Sequence, residues 1–197
     1  IEYRFKRVFD LIISFFLLFV LSPVILLSCF LLIIDDGFPI IYKQKRNGLN
    51  GKIFLIFKLR TMKNDAEKDG VQWSTRNDRR ITFIGKYLRF LRIDELPQLV
   101  NVIKGEMSLI GPRPERPEIE EVLLKEIPFY KLRSNQLPGI SGWAQVNFPY
   151  GSSINDSKIK LSYDLFYYKN FSIWLDFLIL LKTLKTVLGS NKSVPKN

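Results

Sequence analysis

The sequence predicts an α+β fold that is mostly helical and forms a monotopic membrane domain. A long apolar run near the N-terminus is interrupted at its centre by Ser22 and Pro23. Two β-rich runs flank a turn-rich NGLNG segment, a pattern typical of a small β-hairpin. Aromatic-rich amphipathic stretches follow at residues 81–91 and 171–188, as in helices that lie at a bilayer surface. We therefore predict a Pro-kinked re-entrant membrane helix, a hairpin and interfacial helices.

The composition restricts both the partners and the chemistry. The chain has 197 residues, enough for one core, and 30 Lys+Arg against 19 Asp+Glu give a formal charge of +11. We therefore expect anionic partners, namely phospholipid, nucleotide, lipid phosphate or nucleic acid. The single cysteine, Cys29, excludes an internal disulfide framework. Because histidine is absent, acid–base chemistry must use carboxylates, Lys or Tyr, and an oxygen-rich metal site suits Mg²⁺ better than Zn²⁺.

The apolar run over residues 11–34 is long enough to cross a bilayer, since about 24 helical residues span roughly 36 Å. Basic residues flank it on both sides: Arg4, Lys6 and Arg7 before it, and Lys43, Lys45 and Arg46 after it. The positive-inside rule keeps both flanks in the cytoplasm, which favours a helix that enters one leaflet and returns. Pro23 frees a helix carbonyl that Ser22 can help to satisfy. A spanning helix with a proline kink remains the alternative.

Residues 40–44 and 52–58 are the two predicted strands of the hairpin. Lys58 and Arg60 lie at its exit, where a basic end is usually a solvated edge but can also deliver cations to a phosphate. The polar segment 63–80 is predicted to be a loop with a short helix. Residues 81–91 are predicted to form a surface helix that directs Arg89 toward the following carboxylates, with packing in the core as the ordinary alternative.

The segments after residue 110 contribute further candidates. The GPRP sequence is a stiff turn that fixes Arg113 in space. In LPGISGWAQVN, Gly139 and Gly142 mark places where the backbone could approach a ligand closely. Trp143 and Gln145 are candidates to stack on or hydrogen-bond to a base, with Trp143 in the core as the alternative. The predicted organisation is a membrane helix over 1–36, a catalytic region over 37–190 and a flexible tail over 191–197, together one functional domain.

Adjacent carboxylates at Asp94 and Glu95 carry the chemical signal, because several arginines surround them in the sequence. Pro97 is tolerated in the first turn of a helix, so we predict a helix from Asp94 to about Lys104, closed by Gly105. At that helix start the dipole would favour an ionised Asp94, and an ionised carboxylate among guanidiniums is a plausible nucleophile toward phosphorus. The alternative is an N-cap aspartate with solvated arginines, because caps are far commoner than active sites.

Taken in order, several motifs resemble those of one family. They are YRFKRVFD, the Ser22-Pro23 break, KLRTM, RIDELPQLVNVIKGEMSLIGPRPERPE, PGISGWAQVN and KLSYDLFYYKN. Each is weak alone, but together they cover almost the whole chain and are highly specific. The sequence thereby resembles the bacterial sugar transferases, monotopic phosphoglycosyl transferases that start the assembly of surface polysaccharides and glycoprotein glycans.

The resemblance implies transfer of a sugar 1-phosphate from a UDP-sugar to a polyprenol (undecaprenyl) phosphate, with release of UMP. It implies that Asp94 is the nucleophile, forming a covalent phosphosugar–aspartate, and that Glu95 is its partner. Mg²⁺ would offset the diphosphate charge, with both carboxylates as its candidate ligands. The candidates for binding phosphate or nucleotide are Lys58, Arg60, Arg89, Arg113 and Gln145.

The resemblance also implies where the protein acts and with what. The family's Ser-Pro break supports the re-entrant helix, with the domain on the cytoplasmic face of the bacterial inner membrane. The expected partners are the UDP-sugar donor, the polyprenol phosphate acceptor and anionic membrane lipid, without nucleic acid. A homo-oligomer stays open.

The sequence departs from the family pattern in one place and points to a subgroup in another. After AQVN many relatives have a Gly-Arg pair, whereas this chain has FPYG at residues 148–151, which puts donor contacts near this loop in doubt. The ERPE extension after GPRP resembles long exopolysaccharide enzymes with extra N-terminal membrane helices. A start at Ile1 rather than Met is consistent with the catalytic part of such a protein.

Two other functions stay open. One is a glycosyltransferase that moves only the sugar to lipid phosphate and releases UDP. The other is a basic, membrane-anchored binding protein for nucleic acid or anionic lipid, which would give no role to the DELPQ and GPRP motifs. A catalytically inactive scaffold is disfavoured because both carboxylates are present.

Overall fold

The computed structural model describes residues 2–66, 78–149, 151 and 153–189. The regular elements are α1 (Glu2–Asp36), β1 (Ile41–Asn47), β2 (Ile53–Leu59), α2 (Phe83–Phe90), α3 (Gln98–Lys104), β3 (Ser108–Ile110), α4 (Pro117–Glu126), β4 (Gly139–Ser141), α5 (Trp143–Asn147), α6 (Ile154–Lys169) and α7 (Ile173–Leu188). Short 3-10 segments occupy Leu49–Gly51, Ile93–Glu95 and Tyr130–Asn135. The predominance of helix beside a small hairpin confirms the predicted fold class. Part of the predicted 63–80 loop and the whole predicted tail, residues 191–197, lie outside the described residues.

The helix α1 is continuous from Glu2 to Asp36, with Pro23 inside it. Pro23 has no N–H with which to bond the carbonyl of Phe19, four residues earlier. The Ser22 hydroxyl donates to that same carbonyl at 2.8 Å, which confirms the predicted role of the serine. The helix is long and apolar enough to cross a membrane by length and composition. Its middle is exposed, with Phe19 at 81%, as suits contact with lipid.

Three polar side chains fix the N-terminal end of α1 to the rest of the protein. Lys6 forms a buried ion pair with Asp176 of α7. Arg7 donates to the last carbonyls of α3, at 2.5 and 2.8 Å. Asp10 accepts a bond of 2.7 Å from the Ser108 hydroxyl in β3. Each side chain thus contacts a different element of the catalytic region.

The C-terminal end of α1 is fixed to the same body. The Asp35 carboxylate accepts from the backbone N–H of Ile84 at the start of α2, at 2.9 Å. Arg60 donates to the Asp36 carbonyl at 2.9 Å and forms an ion pair with its carboxylate at 3.2 Å. Both ends of the apolar helix are therefore held by one folded unit.

The predicted hairpin is present, with antiparallel strands that run from the Ile41–Leu59 pair to the Asn47–Ile53 pair. The fully buried Asn101 of α3 takes the place of a neighbouring strand along β2. Its amide oxygen accepts from the Phe57 N–H at 3.1 Å, and its amide nitrogen donates to the Leu55 carbonyl at 2.7 Å. This contact fixes β2, and therefore the side chains near its end, relative to α3.

The predicted start of the α3 helix at Asp94 is wrong, whereas its end at Gly105 is correct. The carboxylates lie in the Ile93–Glu95 3-10 turn, and the α-helix begins only at Gln98. Pro97 lies between them and lacks the N–H that would join the two segments into one helical hydrogen-bond pattern. The start of an α-helix therefore does not stabilise the Asp94 anion, and nearby cations must do so instead.

A short parallel pair, β3 with β4, was not predicted. It explains the glycines of the LPGISG segment, which were predicted to approach a ligand. A Cβ on Gly139 would lie 2.1 Å from the Gly111 nitrogen, and one on Gly142 would lie 2.2 Å from the Gly111 oxygen. These glycines allow two backbones to approach one another, so the ligand interpretation is corrected.

The core lies between the hairpin and helices α3, α6 and α7. Its main cluster contains Phe54, Ile56, Leu99, Val102, Met107, Leu109, Ile110, Tyr167 and Ile179. A smaller cluster of Leu32, Leu59 and Leu88 joins α1, β2 and α2, and Ile93 packs against it. Because Ile93 directly precedes Asp94, this cluster helps to position the carboxylate. On the outer surface, α2 and α7 expose aromatic side chains as predicted, including Phe83 and Trp174.

Candidate active site

Two buried carboxylates on the Ile93–Glu95 turn form the centre of the candidate site. Arg92 enters this turn with a φ of 59°, a left-handed conformation that non-glycine residues rarely adopt. The Glu95 Oε1 atom accepts from Lys58 Nζ at 2.8 Å and from Arg113 Nη2 at 2.9 Å. The second oxygen of Glu95 lies 4.0 Å from the Arg92 guanidinium. The end of β2, the turn and the GPRP segment therefore meet at one carboxylate.

The electrostatic surroundings keep Glu95 ionised. Burial alone would raise its pKa, but the charges of Arg113, Lys58 and Arg92 act in the opposite direction. The net effect holds the pKa of Glu95 well below its usual range. Glu95 is therefore an anion whose charge is already balanced by bonded cations.

Asp94 lies in a different environment although it is the adjacent residue. Its Oδ1 atom is buried and has no hydrogen-bond partner within the described part of the chain. Burial, together with the charge of Glu95, raises the pKa of Asp94 to about 6, while Lys58, Arg89 and Arg92 oppose this rise. Near neutral pH the carboxylate is therefore mostly ionised, and its Oδ1 accepts no hydrogen bond from the described residues that would weaken that oxygen as a nucleophile.

Arg89 reaches this site from α2 and is oriented by the KLRTM segment. Its Nε donates to the hydroxyl of the buried Thr61 at 2.7 Å. The Thr61 carbonyl in turn accepts from the N–H of Thr82, the N-cap residue of α2. The segment after β2 therefore fixes both the start of α2 and the direction of Arg89.

Two of the predicted site residues are placed elsewhere. The guanidinium of Arg60 bonds the carbonyls of Asp36 and Gly37 at the end of α1, so its donors serve the fold. The Gln145 amide donates to the Ile140 carbonyl at 3.1 Å, and its own oxygen is buried without a hydrogen-bond partner among the residues that the structure describes. Neither residue contacts the carboxylate pair in the described structure.

Trp143, the other nucleotide candidate, has the packing of a core residue. Its ring stacks on Phe166 of α6 with 5.8 Å between centroids. The Lys182 ammonium of α7 lies 4.5 Å from the centre of the same ring. Trp143 also packs against the main core cluster, so the stated alternative, a place in the core, describes it better than stacking on a base.

A buried arginine behind the GPRP turn, Arg133, was not among the predicted site residues. Arg133 donates to the Arg113 carbonyl at 2.8 Å, to Asp164 Oδ2 at 3.0 Å and to the Tyr130 hydroxyl at 2.7 Å. It thereby fixes the backbone of the residue whose side chain holds Glu95. The sequence signal for this arginine was Asp164, which lies three residues after Leu161 and therefore on the same, buried face of α6. A carboxylate on a buried face indicates a buried cation as its partner.

The donor set suits a magnesium ion that is shared with a substrate. Among the described residues, no group of three His, Cys, Asp or Glu side chains comes together. Mg²⁺ is commonly held by one or two carboxylates together with substrate phosphates. The carboxylates of Asp94 and Glu95 would provide such oxygens, with Glu95 using the oxygen that does not bond Lys58 and Arg113.

The paired carboxylates and surrounding cations have the chemistry to bind a phosphate group and to present a carboxylate oxygen to it. The family profile described as bacterial sugar transferase matches residues 1–190. The chain therefore belongs to the bacterial sugar transferase family, and the resemblance seen in its motifs is confirmed.

Characterised relatives carry specific names. The UDP-N-acetylgalactosamine-undecaprenyl-phosphate N-acetylgalactosaminephosphotransferase of Aeromonas hydrophila is 44% identical over 183 residues, which are 93% of this chain and 43% of that protein. A UDP-glucose:undecaprenyl-phosphate glucose-1-phosphate transferase of Caulobacter vibrioides is 35% identical over 190 residues, 95% of this chain and 71% of that protein. The undecaprenyl-phosphate glucose phosphotransferase of Komagataeibacter xylinus is 39% identical over 194 residues, 95% of this chain and 36% of that protein. The chain thus spans well under half the length of the first and third of these relatives.

Proposed function

We propose that this protein transfers a sugar 1-phosphate from a UDP-sugar to polyprenol (undecaprenyl) phosphate, giving polyprenol-diphosphate-sugar and UMP. The observation that carries the proposal is Asp94: buried, ionised near neutral pH and without a hydrogen bond on Oδ1. The names of the relatives support the same reaction, since they describe sugar-phosphate transfer to undecaprenyl phosphate.

The proposed reaction proceeds in two steps at one phosphorus atom. Asp94 Oδ1 attacks the phosphorus that bears the sugar, and the bond to the bridging oxygen breaks. UMP leaves with that oxygen and its electron pair, and a phosphosugar–aspartate remains. An oxygen of polyprenol phosphate then attacks the same phosphorus and releases the Asp94 carboxylate. A covalent intermediate allows one site to serve a soluble donor and a lipid acceptor in turn.

The cations of the site would stabilise the charge that develops in these steps. Lys58 and Arg113 are held next to the nucleophile by their shared bonds to Glu95. Arg89 lies on the Asp94 side, where its charge opposes the rise in that carboxyl's pKa. Mg²⁺ would be held by Asp94, Glu95 and the diphosphate oxygens, and it would neutralise part of the diphosphate charge. Chelation of Mg²⁺ is then expected to stop UMP release.

The fold supports a location at the cytoplasmic face of the bacterial inner membrane. Both ends of the apolar helix α1 are bonded to the same folded body, which favours a re-entrant over a spanning path. Exposed aromatic residues on α2 and α7, with the formal charge of +11, suit contact with anionic lipid. In this arrangement residues 1–36 enter the membrane and 37–190 remain at its surface.

The identity of the nucleotide product tests the proposal. Purified protein in detergent would be incubated with Mg²⁺, undecaprenyl phosphate and a panel of UDP-sugars, and the nucleotides would be separated by chromatography. The proposal predicts UMP, and its release should depend on undecaprenyl phosphate for multiple turnovers. Release of UDP would instead indicate transfer of the sugar alone. Absence of any nucleotide product across the panel would favour a binding protein.

A further inference from the structure

Three polar side chains form a hydrogen-bonded row along β1 that leads to the carboxylate pair. Because side chains alternate along a strand, Tyr42, Gln44 and Arg46 lie on the same face of the hairpin. Arg46 donates to the Gln44 side-chain oxygen at 2.5 Å, and Gln44 donates to the Tyr42 hydroxyl at 3.1 Å. Tyr42 is the cross-strand partner of Lys58, which bonds Glu95. The row therefore begins beside the site.

The other end of this row meets the GPRP turn. Arg46 Nη1 donates to the Pro114 carbonyl at 3.0 Å, and the next N–H, that of Asn47, donates to the Glu115 carbonyl at 3.0 Å. These two bonds place Arg46 next to the residue that follows Arg113. The guanidiniums of Arg46 and Arg113 therefore belong to the same rim of the site.

Arg46 carries a positive charge that no bonded carboxylate balances. Its two bonded partners are neutral oxygens, its Nε is buried without a partner, and no carboxylate lies within ion-pair distance among the described residues. Burial and the charge of Arg113 lower the pKa of Arg46 to about 10, although Glu115 and Glu95 oppose this. A partly buried guanidinium beside a like charge is unfavourable unless an anion binds there. Phosphate matches the fork geometry of a guanidinium.

We propose that Arg46 is a further substrate-binding residue that contacts the nucleotide-side phosphate of the donor, while Gln44 and Tyr42 fix the direction of its guanidinium. The assignment rests on the proposed function. The phosphosugar stays on Asp94, whose nearby cations include Arg89. Arg46 lies instead on the Glu95 side of the site, with Arg113. It is therefore better placed to bind the phosphate of UMP, which departs.

The two half-reactions and product inhibition test this assignment. Arg46→Gln should raise the KM for the UDP-sugar and the inhibition constant of UMP by roughly 10- to 100-fold, the usual effect of losing a charged hydrogen bond. Discharge of a preformed phosphosugar adduct by undecaprenyl phosphate should keep its wild-type rate, because the nucleotide has already left. Lys45→Gln is the matched control: it removes the same charge from an exposed neighbour on the opposite face of β1, and all three quantities should stay unchanged.

Thermal unfolding of each variant separates a loss of binding from a loss of folding. Arg46→Lys is a further variant, which keeps the positive charge but loses the paired N–H donors of the guanidinium. We expect Arg46→Lys to restore part of the UMP affinity. Unchanged UMP inhibition in folded Arg46→Gln would overturn the assignment, as would a loss confined to the discharge step, which would indicate the lipid phosphate. A wild-type protein that releases no UMP with any UDP-sugar would overturn the proposed function, and this assignment with it.

Discussion

Adjacent carboxylates at residues 94 and 95 acquire different properties because their contacts differ. Glu95 shares its Oε1 between Lys58 and Arg113, so its charge is fixed and balanced. Asp94 is equally enclosed but has an unbonded oxygen, and burial raises its pKa to about 6. One carboxylate therefore organises cations, while the other is available to react.

The raised pKa of Asp94 predicts a pH dependence for the first step. Only the ionised carboxylate attacks, so kcat/KM for UMP release should fall as the pH drops through about 6 and level off above it. Arg89→Gln removes a cation that lowers this pKa, so the acidic limb should move to higher pH. Initial rates between pH 5 and 8 measure both effects. A limb that stays in place in Arg89→Gln would contradict this role of Arg89.

At the residue scale, the sequence predicted which side chains form the site better than it predicted the contacts of the residues around them. The motifs drew attention to Asp94, Glu95, Lys58, Arg89 and Arg113, and the structure brings these five together. Arg60 and Gln145 come from the same motifs but bond other parts of the fold, because a motif records proximity in sequence and not the direction of a side chain. The row on β1 was missed because its single bond to the Pro114 carbonyl joins residues that are far apart in the sequence.

The buried ion pair of Arg133 and Asp164 predicts a large stability effect at the scale of elements. Asp164→Ala would remove the carboxylate that bonds the buried Arg133 guanidinium at 3.0 Å and leave it only the longer contact with Glu115 at 3.8 Å, so we expect a loss of about 3–5 kcal/mol in the free energy of unfolding. Glu121→Ala, which breaks the exposed i,i+4 pair with Lys125, should cost about 0.5 kcal/mol or less. Denaturant unfolding in detergent compares the two variants. Equal losses would contradict the structural role of Arg133.

Elements governed by local sequence were predicted well, and those governed by distant contacts were not. The hairpin follows from β-rich runs around NGLNG. The second predicted strand matches β2 to within one residue, whereas the first stops three residues before the end of β1. The β3–β4 pair joins three-residue strands some 30 positions apart, which leaves no local pattern to detect. The predicted start of α3 at Asp94 was too early. Pro97 was interpreted as a residue in the first turn of the helix, whereas it separates a 3-10 turn from the α-helix.

For the molecule as a whole, the attachment of both ends of α1 to one body predicts which residues share a side of the membrane. In a Cys29→Ser background, single cysteines at Val8 and Lys52 would flank the apolar run over residues 11–34 at exposed positions. A membrane-impermeant maleimide should label neither cysteine in intact spheroplasts and both after permeabilisation. Labelling of Val8→Cys in intact spheroplasts, with Lys52→Cys protected, would indicate a spanning helix instead.

The central claim is that Asp94 becomes covalently bonded to the phosphosugar, and intact mass spectrometry tests it most directly. Protein in detergent with Mg²⁺ and each UDP-sugar, but without polyprenol phosphate, should gain the mass of one sugar phosphate and release one equivalent of UMP. Asp94→Asn should gain nothing, and polyprenol phosphate should discharge the wild-type adduct. UMP release that requires polyprenol phosphate from the first turnover, with no adduct at any time, would contradict the covalent mechanism.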